Sequence, residues 1–386
     1  MTSIKERATT ILCDLIALPT VNPMGRPYRG PAIERPVVEY LEELFSPYAV
    51  AMQRMACSDI HESLLVEIPG HTSCPGTLLE SHIDTVPAED WPERAFLPMQ
   101  DDSKVTGRGA CDDKGSLVAM ALSLLELLES GAEPPQSIWF LAAGDEEYGQ
   151  SGIKHFLQTQ DLPIGRAIFG EPTECVPIVQ HKGTIRWDLT VHGRSAHTSQ
   201  PALGHNAILD AVRVIAHLNA YERDLQERYT NPLMSGPTLT VTMIHGGRTR
   251  NVVPDECTLA IDFRVLPGMD NQVAIDGLFS SLAKLDITIT HQDFQCFAPA
   301  LSTSLEHSFV RCVTSIAENV LQRSVLPAGV PYGSDAGWLS DRAPATVLGP
   351  GNINVAHAVD EFVEIQQVLD CTKIYGHILR TDWSST

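Results

Sequence analysis

Apolar residues recur along this chain in two rhythms. In the first part, short unbroken apolar runs flank a longer one. Thr77–Asp84 (TLLESHID), Ser137–Ala143 (SIWFLAA) and Arg166–Gly170 (RAIFG) read as strands, and Gly115–Glu129 (GSLVAMALSLLELLE) as a buried helix with Gly131 just beyond it. Strand, helix, strand predicts a mostly parallel sheet with helices on its faces. From Thr184 the rhythm changes. Thr184–Val191 (TIRWDLTV) alternates as a strand, and Ala207 to about Glu227 carries Ile208, Val212, Ile215 and Leu218 at helical spacing. Thr238–Ile244 and Cys257–Leu266 follow as strands, Asn271–Leu285 as a helix and Ile287–Phe294 as a strand. That order, βαββαβ, is ferredoxin-like. After Pro299 the first rhythm returns, with a helix over Glu306–Val320 and a strand over Ala345–Gly349. The expected fold is α/β: a mostly parallel-sheet domain of residues 1–182 and 299–386, interrupted by an inserted α+β domain of residues 183–298.

Composition narrows the partners. The 386 residues suit two or three domains. Lys and Arg number 27 against 48 Asp and Glu, a formal charge of −21 that repels phosphate backbones and anionic lipid. Nucleic acid and membrane are not expected as partners. No uncharged apolar run reaches the ~18 residues of a membrane span, and Asp14 interrupts the only apolar stretch that could follow Lys5 and Arg7 as a signal peptide. Nine widely spaced cysteines without a CxxC pair disfavour a disulfide framework or thiolate zinc site and suit a cytoplasmic protein. No glycine-rich nucleotide motif stands at a strand–helix turn.

Metal-competent side chains fall where the predicted strands end, the place where open α/β sheets build their sites. In SHIDTVP (81–87), His82 and Asp84 stand two apart on a strand and share a side. They are either a metal-bound imidazole with its orienting carboxylate or an ordinary strand-end hydrogen bond. In GRGACDDKG (107–115), Asp112 is either an N-cap or a carboxylate shared by two cations. Cys111 reads as a small turn residue, and Lys114 as a helix-start charge or a partner for an aspartate. In GDEEYG (144–149), Glu146 and Glu147 would point in opposite directions on an extended backbone, one to a metal and the other to substrate as a proton shuttle; the alternative is a solvated loop. Glu171 in GEPT follows a strand, and His357 lies in the loop of GPGNINVAHAVDEF (349–362). Together, two histidines and three carboxylates suit a borderline-hard divalent ion. Asp112, Glu147 and Glu171 with one hydroxide would balance two such ions.

The ordered set SHIDTVP, GRGACDDKG, GDEEYG, GEPT and GPG…AH…DEF resembles that of the co-catalytic zinc metallopeptidases, the family of acetylornithine deacetylase, succinyl-diaminopimelate desuccinylase, aminoacylase and bacterial carboxypeptidases. The resemblance covers nearly the whole chain. The segments 181–208, IHGG (244–247), DFRVLPGM (262–269) and 349–364 bring it nearest to acetylornithine deacetylase. The resemblance implies two divalent metals, zinc first and cobalt or manganese as alternatives. His82 and Glu171 would bind one, Glu147 and His357 the other, and Asp112 both, with Asp84 orienting His82. Glu146 would be the general base, acting with a hydroxide between the metals. His197 would stabilise the oxyanion across a homodimer formed through the inserted dimerisation or lid domain, and Asn251 and Arg264 would hold the carboxylate of a small N-acyl amino acid. Asp113 departs from the relatives and is expected to face water. The loop Tyr332–Leu339 (YGSDAGWL) is closer to the desuccinylase pattern, so a desuccinylase, carboxypeptidase or dipeptidase is the alternative. A catalytically silent metal-binding protein would lack a ligand or the base, and none is missing.

Overall fold

The computed structural model describes residues 3–385. Two compact units divide them. One runs through Val179 and takes in Ser302–Ala328 and everything from Ser334 onward; the other comprises Gln180–Leu301 and Gly329–Gly333. In chain order come α1 (Ile4–Ile16), α2 (Arg35–Phe45), β1 (Ala51–Ala56), β2 (Glu62–Ile68), β3 (Gly76–His82), α3 (Lys114–Glu129), β4 (Ile138–Ala143), α4 (Ser151–Thr159) and β5 (Ile164–Phe169). The second unit contains β6 (Gly183–His192), α5 (Ala207–Arg228), β7 (Thr238–Gly246), β8 (Glu256–Val265), α6 (Asn271–Leu282) and β9 (Thr288–His291). The first unit resumes with α7 (Ser308–Leu321), β10 (Ala345–Val347) and α8 (Ile365–Arg380).

In the first unit the strands lie in the order β1-β2-β4-β3-β5-β10. β4, β3, β5 and β10 run parallel, and β2 and β1 add antiparallel to one side. Every residue of β3 and β4 is buried. Ile138, Phe140 and Ala142 of β4 join the core that includes α1, α3 and α8, while Trp139 and Leu141 are buried on the opposite face. Burial on both faces is why these strands read as unbroken apolar runs. The fold class is α/β, with a mostly parallel central sheet.

The second unit's sheet is antiparallel throughout, in the order β7-β8-β6-β9. Residues of β6 and β8 alternate between buried and half-buried, the signature of a sheet covered on one face. Trp187, Phe263, Leu218 and Leu278 anchor the core beneath α5 and α6. β9 is shorter than the periodicity suggests. After His291 the regular ladder is interrupted: Gln292 N–H still reaches Asp188 O and Gln295 N–H reaches Arg186 O, Phe294 between them turns edge-on to Trp187, and regular pairing with β6 resumes at Cys296.

Lys114 opens α3, as expected of a helix-start residue, but its ammonium is held by main-chain oxygens rather than by an aspartate. It is fully buried, and its Nζ donates to the carbonyls of Leu15 and Leu18, both at 2.9 Å. Leu15 O also accepts the Leu18 N–H at 3.2 Å, so the lysine reinforces the chain where α1 ends. Burial pushes its pKa down to about 7. Lys114→Met should leave both carbonyls without this donor and lower unfolding free energy by ~1–3 kcal/mol, read from the urea midpoint. An unchanged midpoint would remove this role.

Candidate metal centre

The four parallel strands deliver their ends to one edge. His82 is the last residue of β3, Gly144 follows β4, Gly170 and Glu171 follow β5, and Gly349 lies just beyond β10. Asp112, from the turn that enters α3, is the meeting point. His82 Nε2 lies 2.9 Å from its Oδ1 and His357 Nε2 lies 3.1 Å from its Oδ2. The same His357 nitrogen is 3.4 Å from Glu147 Oε1. Potential ligand atoms of His82, Asp112 and Glu147 fall within 4.8 Å of one another, as do those of His82, Glu146 and Glu171.

Asp112, Glu171 and His82 are buried, whereas the His357 side chain is 50% exposed. Burial alone would raise the Asp112 pKa, but the hydrogen bonds to His357 and His82 hold it below the ordinary range. Burial, followed by the nearby carboxylates of Asp112 and Glu146, drives Glu171 well upward. Burial raises Glu146 to about 8; Glu147, Asp84 and Asp112 add to that and His82 opposes it. His357 is raised to about 10 by its bonds to Asp112 and Glu147. So many acids in one buried place leave the site short of positive charge.

Local hydrogen bonds set the geometry. His82 Nδ1 is 3.0 Å from the main-chain oxygen of Asp84, and 3.5 Å from its carboxylate. The carboxylate instead accepts the amide N–H groups of Glu146 (3.0 Å) and Glu147 (3.3 Å) and the side-chain amide of Asn22 (2.8 Å). Asn22 also donates to Asp145 Oδ1 at 2.9 Å. Asp145 takes a left-handed backbone, φ +65°, and residues 146–149 form a turn. The two glutamates are therefore not splayed by an extended strand, and both carboxylates lie within ligand range of His82. Gln150 Nε2 donates to Glu146 Oε1 at 3.1 Å, and Trp338 Nε1 holds Gln150 Oε1 at 2.8 Å.

Asp113 does not face water. It is fully buried, accepts from Ser81 Oγ at 2.5 Å, and is raised to about 7 by burial. A Cβ at Gly170 would strike its carboxylate, so glycine is what leaves it room. Asp113 takes the N-cap position of α3 without a side-chain capping bond, and Asp112 points to the histidines.

Comparison with known proteins settles the lineage. The sequence pattern of Peptidase family M20/M25/M40 matches residues 78–381. The chain belongs to this family. The M20 chain is 32% identical over 317 residues to acetylornithine deacetylase of Pectobacterium atrosepticum, covering 79% of each. An M20 metallo-carboxypeptidase from Sulfolobus solfataricus superposes with a TM-score of 0.78 at 18% identity, covering 98% of this chain and 99% of its own. A dinuclear metal-binding M20 peptidase from Bacillus subtilis gives 0.69 at 14% identity, covering 98% and 99%. The protein is a hydrolase of amide bonds. Among the described residues, no helix is long and apolar enough to cross a membrane.

Other expected site residues of this M20 hydrolase lie in the second unit. His197 is exposed, with Nδ1 2.8 Å from Ser199 Oγ, and a short antiparallel pairing of His197 with Val252 brings Asn251 beside it. Arg264, on β8, is held by Asp262 (Nε–Oδ1 2.7 Å) and donates from Nη1 to Thr184 Oγ1 at 2.8 Å. Asn22, Gln150, Trp338, Arg108 and Glu361 were not singled out as site residues by sequence reasoning. Arg108 and Glu361 stand inside the quoted motifs GRG and DEF; Asn22 has no local signature. Asn22→Ala should deprive two buried carboxylates of a donor and cost ~1.5–3 kcal/mol. A urea midpoint equal to wild type would show that this amide carries no weight.

Proposed function

We propose that this protein is a metal-dependent amidohydrolase that removes the acyl group from an N-acyl amino acid, in the manner of acetylornithine deacetylase. The observation that carries the reading is the buried Asp112 carboxylate with an imidazole against each oxygen. Sequence identity to acetylornithine deacetylase supports the substrate class. Two divalent cations fit the residues present, because the donors are mixed nitrogen and oxygen and lack compensating charge: ligand atoms of His82, Asp112 and Glu147 lie within 4.8 Å of one another, as do those of His82, Glu146 and Glu171, and His357 Nε2 is 3.1 Å from Asp112 and 3.4 Å from Glu147. His82 and Glu171 would hold one, Glu147 and His357 the other, and Asp112 both. Zinc is the proposed metal, with cobalt or manganese able to replace it. Bound there, the ions would supply Lewis acidity for activating water and polarising the amide carbonyl.

The chain's own groups divide the remaining work. Engagement of His82 Nδ1 by the Asp84 carbonyl leaves Nε2 for ligation. Gln150 steadies Glu146 through Oε1, which leaves Oε2 to take a proton from the attacking water and return it to the leaving nitrogen. His197 is assigned to the oxyanion, acting across a dimer. Arg264 and Asn251 are assigned to the substrate carboxylate. Asp262 and Thr184 fix the guanidinium plane and leave one N–H on each terminal nitrogen, a fork suited to a planar anion. A Cβ on Gly333 would lie 3.9 Å from Arg264 Nη1, so the start of the 332–339 loop is a natural place for selectivity. That loop's sequence favours the second reading, a desuccinylase or exopeptidase.

For assembly we propose a homodimer through the second unit. β7 is an edge strand with Met243 and Ile244 half-exposed or more, and α5, packed beside it, exposes Leu209 and Val212. Two such edges can pair around a twofold axis. Met243→Asp with Ile244→Asp should shift the sedimentation coefficient from dimer to monomer; a double variant that stays dimeric would move the interface elsewhere. The cysteine spacing supports a cytoplasmic setting.

Zinc-loaded protein should cleave N-acetylornithine or another N-acetyl amino acid faster than N-succinyl-diaminopimelate or dipeptides. A reversed order selects the second reading, and no cleavage of any acyl-amino acid or dipeptide overturns both. Chelation should abolish turnover, and added zinc or cobalt should restore it. Glu146→Ala should lower kcat ~10²–10⁴-fold while two ions remain bound. Loss of an ion instead would exchange the roles of Glu146 and Glu147.

A further inference from the structure

His357 is an unusual candidate ligand. Its side chain is half-exposed, so packing does not fix it, and its own backbone and that of Asp360 are left-handed, both with φ +61°. What holds this loop is a buried ion pair. Arg108 is 2% exposed and Glu361 is fully buried, with Nη1 2.6 Å from Oε2. The other carboxylate oxygen, Oε1, accepts the amide N–H groups of Cys111 at 2.9 Å and of Asp112 at 3.1 Å. On the far side, Arg108 Nη2 donates to the carbonyl of His357 at 3.3 Å, and Nη1 reaches that of Ala358 at 3.5 Å. Gly107 N–H donates to the Glu361 carbonyl at 2.9 Å, and the flanking segments Lys104–Thr106 and Phe362–Glu364 pair antiparallel. One guanidinium–carboxylate unit therefore grips the main chain of Asp112 with one hand and that of His357 with the other.

We propose that Arg108 and Glu361 are positioning residues that set the distance between Asp112 and His357, and so the affinity for the cation those two residues share with Glu147. The inference rests on the two-cation reading above. It predicts an unequal effect. The other cation shares Asp112 but also uses His82, which is buried at the end of β3 and anchored through Nδ1, and Glu171; neither touches the clamp, so that cation depends on it less than the one that needs His357. A pair that only stabilised the fold would weaken both sites alike.

The test is competition of the full-length, metal-free chain for zinc against a chromophoric chelator, resolving two equivalents. His357→Ala identifies the equivalent that depends on His357. Arg108→Lys keeps a cation against Glu361 but gives up the fork that reaches both carbonyls. It should weaken that equivalent 10–100-fold and change the other less than about threefold. Arg108→Met with Glu361→Gln, which leaves no buried charge unpaired, should do the same, and it carries the test if the lysine variant does not fold. Two affinities equal to wild type, or two that fall together in step with the melting temperature of the metal-free protein, overturn the proposal. Wild-type protein that binds fewer than two ions overturns the two-cation reading and this inference with it. Two ions in wild type with unaltered variants overturn this inference alone.

Discussion

Asp112 lies beneath two imidazoles, and much of the first unit is arranged around that contact. Removing a carboxylate from water disfavours its charge, and the cost grows when Glu146, Glu147 and Glu171 crowd the same place. The fold answers with directed N–H groups. Asp84 collects two amides and the Asn22 side chain, Glu361 collects two more and a guanidinium, and Val86 N–H reaches Glu147. The main-chain bonds among these also fix backbone beside a neighbouring acid. Charge compensation and alignment are therefore achieved by the same contacts.

The two units solve burial differently. In the first, strands such as β3 and β4 are enclosed on both faces, and polar residues are admitted mainly at their ends. In the second, one face of the sheet rests on helices while the other displays half-buried polar side chains, among them Arg186, Asp262 and Arg264. A guanidinium proposed to meet a substrate thus stands on the face that the helices do not cover.

Much of this was legible in the amino-acid order. Unbroken apolar runs and period-two alternation marked the two sheet types, and acids or histidines at strand ends marked the candidate ligands, because both signals are local. Three readings need revision, two because distant chain intervenes and one because of a local turn. Lys114 does open α3, but it is buried, and its hydrogen bonds run to the carbonyls of Leu15 in α1 and of Leu18 just beyond it rather than to an aspartate. Asp113 looked solvated, since nothing beside it reveals that Gly170 opens a space for it and Ser81 supplies a donor. Glu146 and Glu147 looked splayed because an extended backbone was assumed, and Asp145 instead turns the chain with a positive φ. Asn22 illustrates the same limit. Its value comes from two aspartates far along the chain, Asp84 and Asp145.

The insertion has a consequence for how the protein is made. The acids Asp84, Asp112, Glu146, Glu147 and Glu171 all precede Gln180, whereas β10, α8 and His357 follow the whole second unit. On the ribosome, the acidic half of the centre emerges well before its last histidine and before the strand that completes the parallel set. During that interval the nascent first unit cannot bury these carboxylates against all their final partners. The second unit, continuous in sequence apart from Gly329–Gly333, has no such delay and can gather its own core while the first is still waiting for its C-terminal segment.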